Sequence, residues 1–189
     1  MTADRHLRAD ARRNRRRVLD AADAVFAAKG ISASTDEIAR AAGVGIGTVF
    51  RHFPTKEALL EAVLIARIQA LVEEADSLRT AIDPGAAFFG FLTRMVRRSV
   101  TKNIFVEALA AAGVEVESAI VQDGQDLLQI IGTLLSRAQQ AGAVRSDVQT
   151  PELVAVIVGA SRAVEHVAGD PDLPARTLAL ILDGLRPRH

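Results

Sequence analysis

The sequence predicts an all-α protein of nine helices: an arm over residues 1–10, a three-helix head over 11–55 that contains a helix-turn-helix, and a larger helical domain over 56–189. Three observations predict it. Apolar residues recur at three- and four-residue steps, the period of one helix face, and no stretch alternates as a half-buried strand does. Most breaks in that period carry glycine or proline. The stretch from Ser34 to Lys56, S-T-D-E-I-A-R-A-A-G-V-G-I-G-T-V-F-R-H-F-P-T-K, spells two short helices separated by a glycine turn.

Met1 to Asp10 has no sustained apolar period and is expected to be a mobile arm. Arg12, Arg13, Arg15, Arg16 and Arg17 then open a helix whose Val18, Ala22, Val25 and Phe26 share a face and which Lys29 and Gly30 close. Cations at a helix start oppose the macrodipole, a cost that suits arginines facing phosphate. Ser34 with Glu37 forms a capping box, so the next helix begins at Thr35, and Ile38, Ala39 and Ala42 give it one apolar face up to Gly43. The segment from Ile46 to Phe53 turns Val49 and Phe53 to one side, with Thr48, Arg51 and His52 elsewhere. A second short helix of this kind is the member of a helix-turn-helix that lies in the major groove.

Thr55 is expected to cap a long helix through Leu59, Leu60, Val63, Leu64, Ile68 and Leu71 to about Leu78. After the break at Asp83-Pro84-Gly85, Phe88, Phe89, Phe91, Leu92, Met95 and Val96 predict a helix to about Lys102, and Ile104 to Ala112 a short separate one closed by Gly113. Another is expected from about Val116 to Ala141, interrupted softly by Gly124 and Gly132 and closed at Gly142. Thr150 reads as the cap of the next, with Pro151 in its favoured first position, and the helix continues to about Ala168. Leu153, Val156, Ile157, Ala160, Val164 and Val167 form its stripe, and Val154, Val158 and Gly159 widen it beyond what one partner surface needs. Pro174 to about Leu185 is the last helix.

Composition bounds the chemistry. The 189 residues are 49% hydrophobic, ample for a sizeable core, and the absence of cysteine rules out disulfides, thiolate metal sites and a cysteine nucleophile. The longest apolar block, Leu153 to Ala160, is far short of the ~20 residues that span a bilayer, so a cytoplasmic protein with no membrane partner is expected. Neither H-E-x-x-H nor G-x-S-x-G occurs, and the four histidines are scattered; no catalytic residue, metal or cofactor is assigned. The net charge is zero but unevenly divided. Residues 1 to 60 carry 11 Lys and Arg against 7 Asp and Glu, and the remainder 12 against 16, so the basic half holds the helix-turn-helix.

The run A-A-G-V-G-I-G-T-V-F-R-H-F-P-T-K-E-A-L-L resembles the signature of the TetR family of bacterial transcriptional regulators. That resemblance implies a homodimer that binds a pseudo-palindromic double-stranded DNA operator through the head, and an unknown small-molecule effector taken up by the larger domain. Carried onto this sequence, the DNA-binding candidates are Arg13, Arg17, Ser34, Thr35, Thr48, Phe50, Arg51, His52 and Lys56. Thr48 can touch a phosphate or pack its methyl on a thymine, Arg51 can pair with a guanine edge, and His52 can donate to a base or a phosphate. Three positions depart from the family pattern. Gly45 stands where a Ser often caps the second helix, Ile46 where a polar residue is common, and Phe50 where a Tyr is common. These departures keep an alternative open: a helical ligand-binding or scaffolding protein whose head binds DNA weakly.

For the effector cavity the candidates are Phe88, Phe91, Leu92, Met95, Phe105, Leu127, Ile131, Arg162 and His166, with Asn103, Glu107, Gln122, Gln125 and Glu165 as further polar residues on apolar helices. An ion pair or a dimer contact explains Arg162, Glu165 and His166 as well as a ligand does. The two last helices, through Leu153, Ile157, Ala160, Val164, Leu178, Ile181, Leu182 and Leu185, are the expected dimer interface, in an isologous four-helix arrangement.

Overall fold

The computed structural model describes the backbone of residues 2–114 and 117–187, and side chains over 10–99, 105–114 and 124–187. The expected helix start at Val116 and the side chains of Asn103 and Gln122 lie outside the described residues. Among those described there are nine helical elements and no strand. Eight are α-helices: α1 (Thr2–Lys29), α2 (Thr35–Ala42), α3 (Ile46–His52), α4 (Lys56–Ser77), α5 (Pro84–Ala111), α6 (Glu117–Gln140), α7 (Thr150–His166) and α8 (Leu173–Asp183). The ninth is a 3-10 turn, Leu78–Thr80, that prolongs α4.

Gly30, Gly43, Gly113 and Gly142, the four glycines expected to close helices, are also the four in the left-handed region, with φ between 63° and 74°. Thr55 caps α4, its Oγ1 accepting from the Ala58 amide at 3.1 Å. Other boundaries differ from the expectation. Helix α1 starts at Thr2 rather than after an arm ending at residue 10. The two helices expected between Pro84 and Ala112 are one, because nothing near Asn103 forbids helical φ and ψ. The cap of α7 is Gln149, whose amide donates to Glu152 Oε2 at 2.8 Å; Thr150 is already helical.

The chain divides into two compact units. The first comprises residues 1–67 with 104–117, the second 68–103 with 118–189, so the boundary falls inside α4 and α5 rather than at residue 55. In the first unit α1 packs on both α2 and α3, over a core that includes Val18, Ala22, Phe26, Ile38, Val49, Phe53, Leu59 and Leu64. The far end of α5 belongs here. Phe105 is fully buried, its ring meeting Phe26 edge-on at 5.5 Å, and the Arg67 guanidinium lies over it at 4.5 Å.

The second unit is a helical bundle around Leu71, Phe88, Phe91, Leu92, Met95, Ile131, Leu135, Leu153, Ile157, Leu178 and Leu182. Arg137 of α6 donates to the carbonyls of Leu78, which also accepts from the Ala81 amide, and of Ala81, at 3.2 and 2.9 Å, and so ties α6 to the end of the prolonged α4. Gln139 Nε2 donates to the Arg145 and Val148 carbonyls, at 3.0 and 2.9 Å, and so holds the link between α6 and α7. Gly85 is buried where a Cβ would stand 2.6 Å from the Cβ of Ala143.

Candidate nucleic-acid interface

The head is locked by its caps. Ser34 Oγ accepts from the Glu37 amide at 3.2 Å while Glu37 Oε2 accepts from the Ser34 amide at 2.9 Å, the reciprocal box expected from the sequence. Lys29, in the last turn of α1, reaches the same carboxylate at 2.6 Å and ties α1 to the start of α2. The lysine first, and the Ser34 amide after it, lower the Glu37 carboxyl from 4.5 to about 2. Ser34 is thus the N-cap of α2 and Thr35 its first residue.

The turn is closed by hydrogen bonds from Gly43 N–H to the Arg40 carbonyl and from Val44 N–H to the Ala39 carbonyl, both 3.1 Å. A Cβ on Gly43 would stand 2.8 Å from a guanidinium nitrogen of Arg17, which places Arg17 against the turn between α2 and α3. Two other arginines of the basic cluster have partners of their own. Arg13 is bonded to Asp10 on its own helix, and Arg15 lies over the buried ring of Phe53 at 5.1 Å.

Helix α3 is held by one side chain. Val49 is fully buried; Gly47, Phe50 and Arg51 are exposed, and Ile46, Thr48 and His52 are half-buried at the margins. Gly45 provides no side-chain cap, as its residue type requires. Lys56 opens α4 just after the motif and is half-buried. Thr48, Phe50, Arg51 and His52 therefore ride on one short helix whose inward face is spent on packing.

Of the nine residues expected to line an effector cavity, six stand together as packed core and three lie apart. Phe88, Phe91, Leu92, Met95 and Ile131 fill the core of the second unit, with Leu127 packed at its edge. Phe105 is in the first unit, since Phe26 and Arg67 enclose it. Arg162 and His166 are exposed, and Arg162 bonds Glu165 at 3.1 Å. Glu107 and Gln125 are exposed as well. The second unit has an open cleft of about 500 Å³ elsewhere, bordered by Glu73, Asp76, Arg79, Asp126 and Gln129. Sequence reasoning missed both this cleft and the Arg67 cluster; neither leaves a periodic signal, because each joins residues distant in the chain.

The expected dimer residues are placed inward too. Leu153, Ile157, Ala160, Val164, Leu178, Leu182 and Leu185 are all buried within the single chain, and Ile181 is half-buried. The large apolar side chains of α7 and α8 that face outward are Val158, Leu173 and Leu180, 58%, 39% and 75% exposed. Among the described residues no cluster of His, Asp and Glu could hold a metal, and no helix is long and apolar enough to cross a membrane.

Comparison with known proteins places this geometry. Residues 18–63 match the bacterial regulatory proteins of the tetR family, and residues 83–187 match the C-terminal domain of SbtR-like transcriptional regulators. A TetR transcription regulatory protein from Mycobacterium vanbaalenii superposes with a TM-score of 0.76 at 42% identity, over 96% of this chain and 99% of that one. A TetR transcriptional regulator from Streptomyces coelicolor gives 0.75 at 31% identity, over 93% and 99%. The HTH-type transcriptional regulator SrpR of Pseudomonas putida is 50% identical over 60 residues, 31% of this chain. The alignments span only 28% of SrpR and 45% of TtgW, a second Pseudomonas putida regulator. The HTH-type transcriptional repressor KstR of Mycobacterium tuberculosis is 27% identical over 150 residues, 77% of this chain and 67% of that protein. With both parts of the chain matched and the fold shared along its length, the protein belongs to the TetR family of bacterial transcriptional regulators.

Proposed function

We propose that the protein is a cytoplasmic homodimeric repressor that binds a pseudo-palindromic operator in double-stranded DNA and is released by a small-molecule effector of the second unit. The observation that carries this reading is α3 itself: one buried anchor, Val49, and an outward face of Gly47, Phe50 and Arg51 flanked by Thr48 and His52. Arg51 matches a guanine edge, Thr48 a phosphate or a thymine methyl, and Lys56 and Arg17 the phosphates that set register. The basic excess of residues 1 to 60 attracts the duplex before any base is read. The repressor sign rests on KstR, whose name gives it that role.

Two recognition helices related by a two-fold axis meet successive major grooves only when separated by ~34 Å or a multiple. An effector that prefers a subunit arrangement with another spacing releases the DNA, and its leverage equals its differential affinity for the two states. Nothing in this mechanism calls for catalysis, and no enzymatic activity is assigned.

The test is binding to fragments of the promoter region beside its own gene at several salt concentrations. Affinity should fall steeply with salt, and Thr48→Ala with Lys56→Ala should weaken it; an affinity indifferent to both overturns the proposal. The second reading, a ligand-binding or scaffolding protein with a weakened head, draws on the uncapped Gly45 and on a Phe50 that lacks a phenol hydroxyl. It predicts no shift of any genomic fragment in a gel.

A further inference from the structure

Gly47 occupies an unusual position for a glycine. At about 100° per residue, the buried Val49 fixes the inward direction of α3, and Gly47 and Arg51, one turn apart, stand nearest the opposite pole, with Phe50 and Thr48 beside them. A glycine in a helix destabilises it relative to alanine, so an internal reason for it is expected. Neither of the usual reasons applies. Gly47 is not among the positive-φ glycines, so its backbone conformation suits any L-residue. A Cβ built on it meets nothing within 4 Å, so no neighbour in the folded chain needs the space. The helix is only seven residues long and its N-cap, Gly45, adds no side-chain bond. Stability is given up where the chain itself gains nothing from it. Gly124 in α6 and Gly159 in α7 share those two properties; what sets Gly47 apart is its place at the outward pole of α3, the helix proposed to enter the groove, where close approach by another molecule is a reason for glycine.

We propose that Gly47 is the point of closest approach between α3 and its operator, and that the missing side chain lets the helix seat deeply enough for the exposed Phe50 ring to pack on the 5-methyl group of a thymine. This deepens the DNA-binding reading above and rests on it. Phe50 is 45% exposed and neighbours Gly47 on the same outward face. An aromatic ring has no hydrogen bond to offer a base edge, whereas the thymine methyl is the one apolar group in the major groove. The arrangement makes Gly47 a positioning residue and Phe50 a residue that selects thymine.

The test uses the full-length protein and a short duplex recovered by it from fragments of its own genome. Gly47→Ala should keep or raise the melting temperature while lowering affinity for that duplex at least tenfold. Gly124→Ala, in α6, where a Cβ also meets nothing within 4 Å, should keep or raise it without changing affinity. With thymines of the half-site replaced one at a time by uracil, which lacks the methyl, the parent should lose severalfold at one position or more. Phe50→Ala should bind more weakly and no longer tell thymine from uracil there. Undiminished binding by Gly47→Ala, a lowered melting temperature for it, or uracil discrimination that survives Phe50→Ala overturns the proposal. If the unaltered protein retains no fragment, it is the DNA-binding reading that has failed; if it binds and Gly47→Ala binds equally, only this inference has.

Discussion

The guanidinium of Arg67 lies over the ring of Phe105, 4.5 Å from its centroid, and donates through Nε to Asp23. Phe26 meets the same ring edge-on, so α1, α4 and the far end of α5 share one cluster in the first unit. Arg67 is only 17% exposed along its side chain, which limits the screening of the cation over the ring. Removing the ring should cost far more than removing the charge: Phe105→Ala should destabilise by ~3–5 kcal/mol through cavity formation. A double-mutant cycle of Arg67→Met with Phe105→Leu should show a coupling of ~1 kcal/mol in urea denaturation. A coupling near zero would reduce the stacked guanidinium to a bystander.

The capping box predicts an acid response of the head. Glu37 has its carboxyl held at about 2 by Lys29 and the Ser34 amide, against 4.5 for an unperturbed group. A carboxyl lowered in the folded state favours folding fully above 4.5, and the gain is lost as pH falls from 4.5 towards 2. The difference in melting temperature between the parent and Glu37→Gln should therefore be constant above pH 5 and shrink below 4.5. A difference that grows on acidification is inconsistent with the box. Ser34→Ala, which removes the other half, should cost ~1 kcal/mol at neutral pH.

Two glycines should be intolerant of alanine for unlike reasons. At Gly43, φ is 63° and the new Cβ would crowd Arg17, so Gly43→Ala should cost ~1–2 kcal/mol and disturb the turn before α3. At Gly85 the backbone is unstrained but the Cβ would stand 2.6 Å from that of Ala143, so Gly85→Ala should cost ~1–3 kcal/mol by overpacking. Ala143→Gly in the same chain should recover much of the second loss and none of the first, which thermal melts of the four variants would show.

The proposed homodimer makes a specific demand on α7 and α8. Since the stripe through Leu153, Ile157 and Leu182 is consumed inside the chain, a second copy seated on these helices has to cover outward residues, Val158 and Leu180 the most exposed of them. Val158→Glu with Leu180→Glu should shift sedimentation from dimer to monomer with helical content unchanged, whereas Leu153→Ala should lower stability by ~2–5 kcal/mol in monomer and dimer alike. Dimers that survive the double charge would place the two-fold axis elsewhere.

Helix ends and the polarity of α3 could be read from the chain because they depend on atoms within four or five residues. A left-handed glycine, a Ser34 three residues before Glu37, and a Val49 in register with Phe53 while Thr48, Arg51 and His52 point elsewhere all settle their geometry locally. The bent expectations have the same origin. A break was expected near Asn103 and a cap at Thr150 because each is locally permitted, yet α5 runs on to Ala111 and Gln149 caps α7.

Burial obeys no such local rule. Periodicity identified an apolar stripe on α7 and surplus residues beside it, but whether the stripe meets another helix of the same chain or of a second copy depends on what packs there; the fold puts Leu153 inside and Val158 outside. Phe105 belongs to the first unit because Phe26 and Arg67, 79 and 38 positions away, enclose it. Short-range hydrogen bonding and steric limits are encoded in neighbouring residues and can be read one segment at a time. The assignment of an apolar face to an interior is a property of all the segments that share it, so it became visible only once the helices were packed.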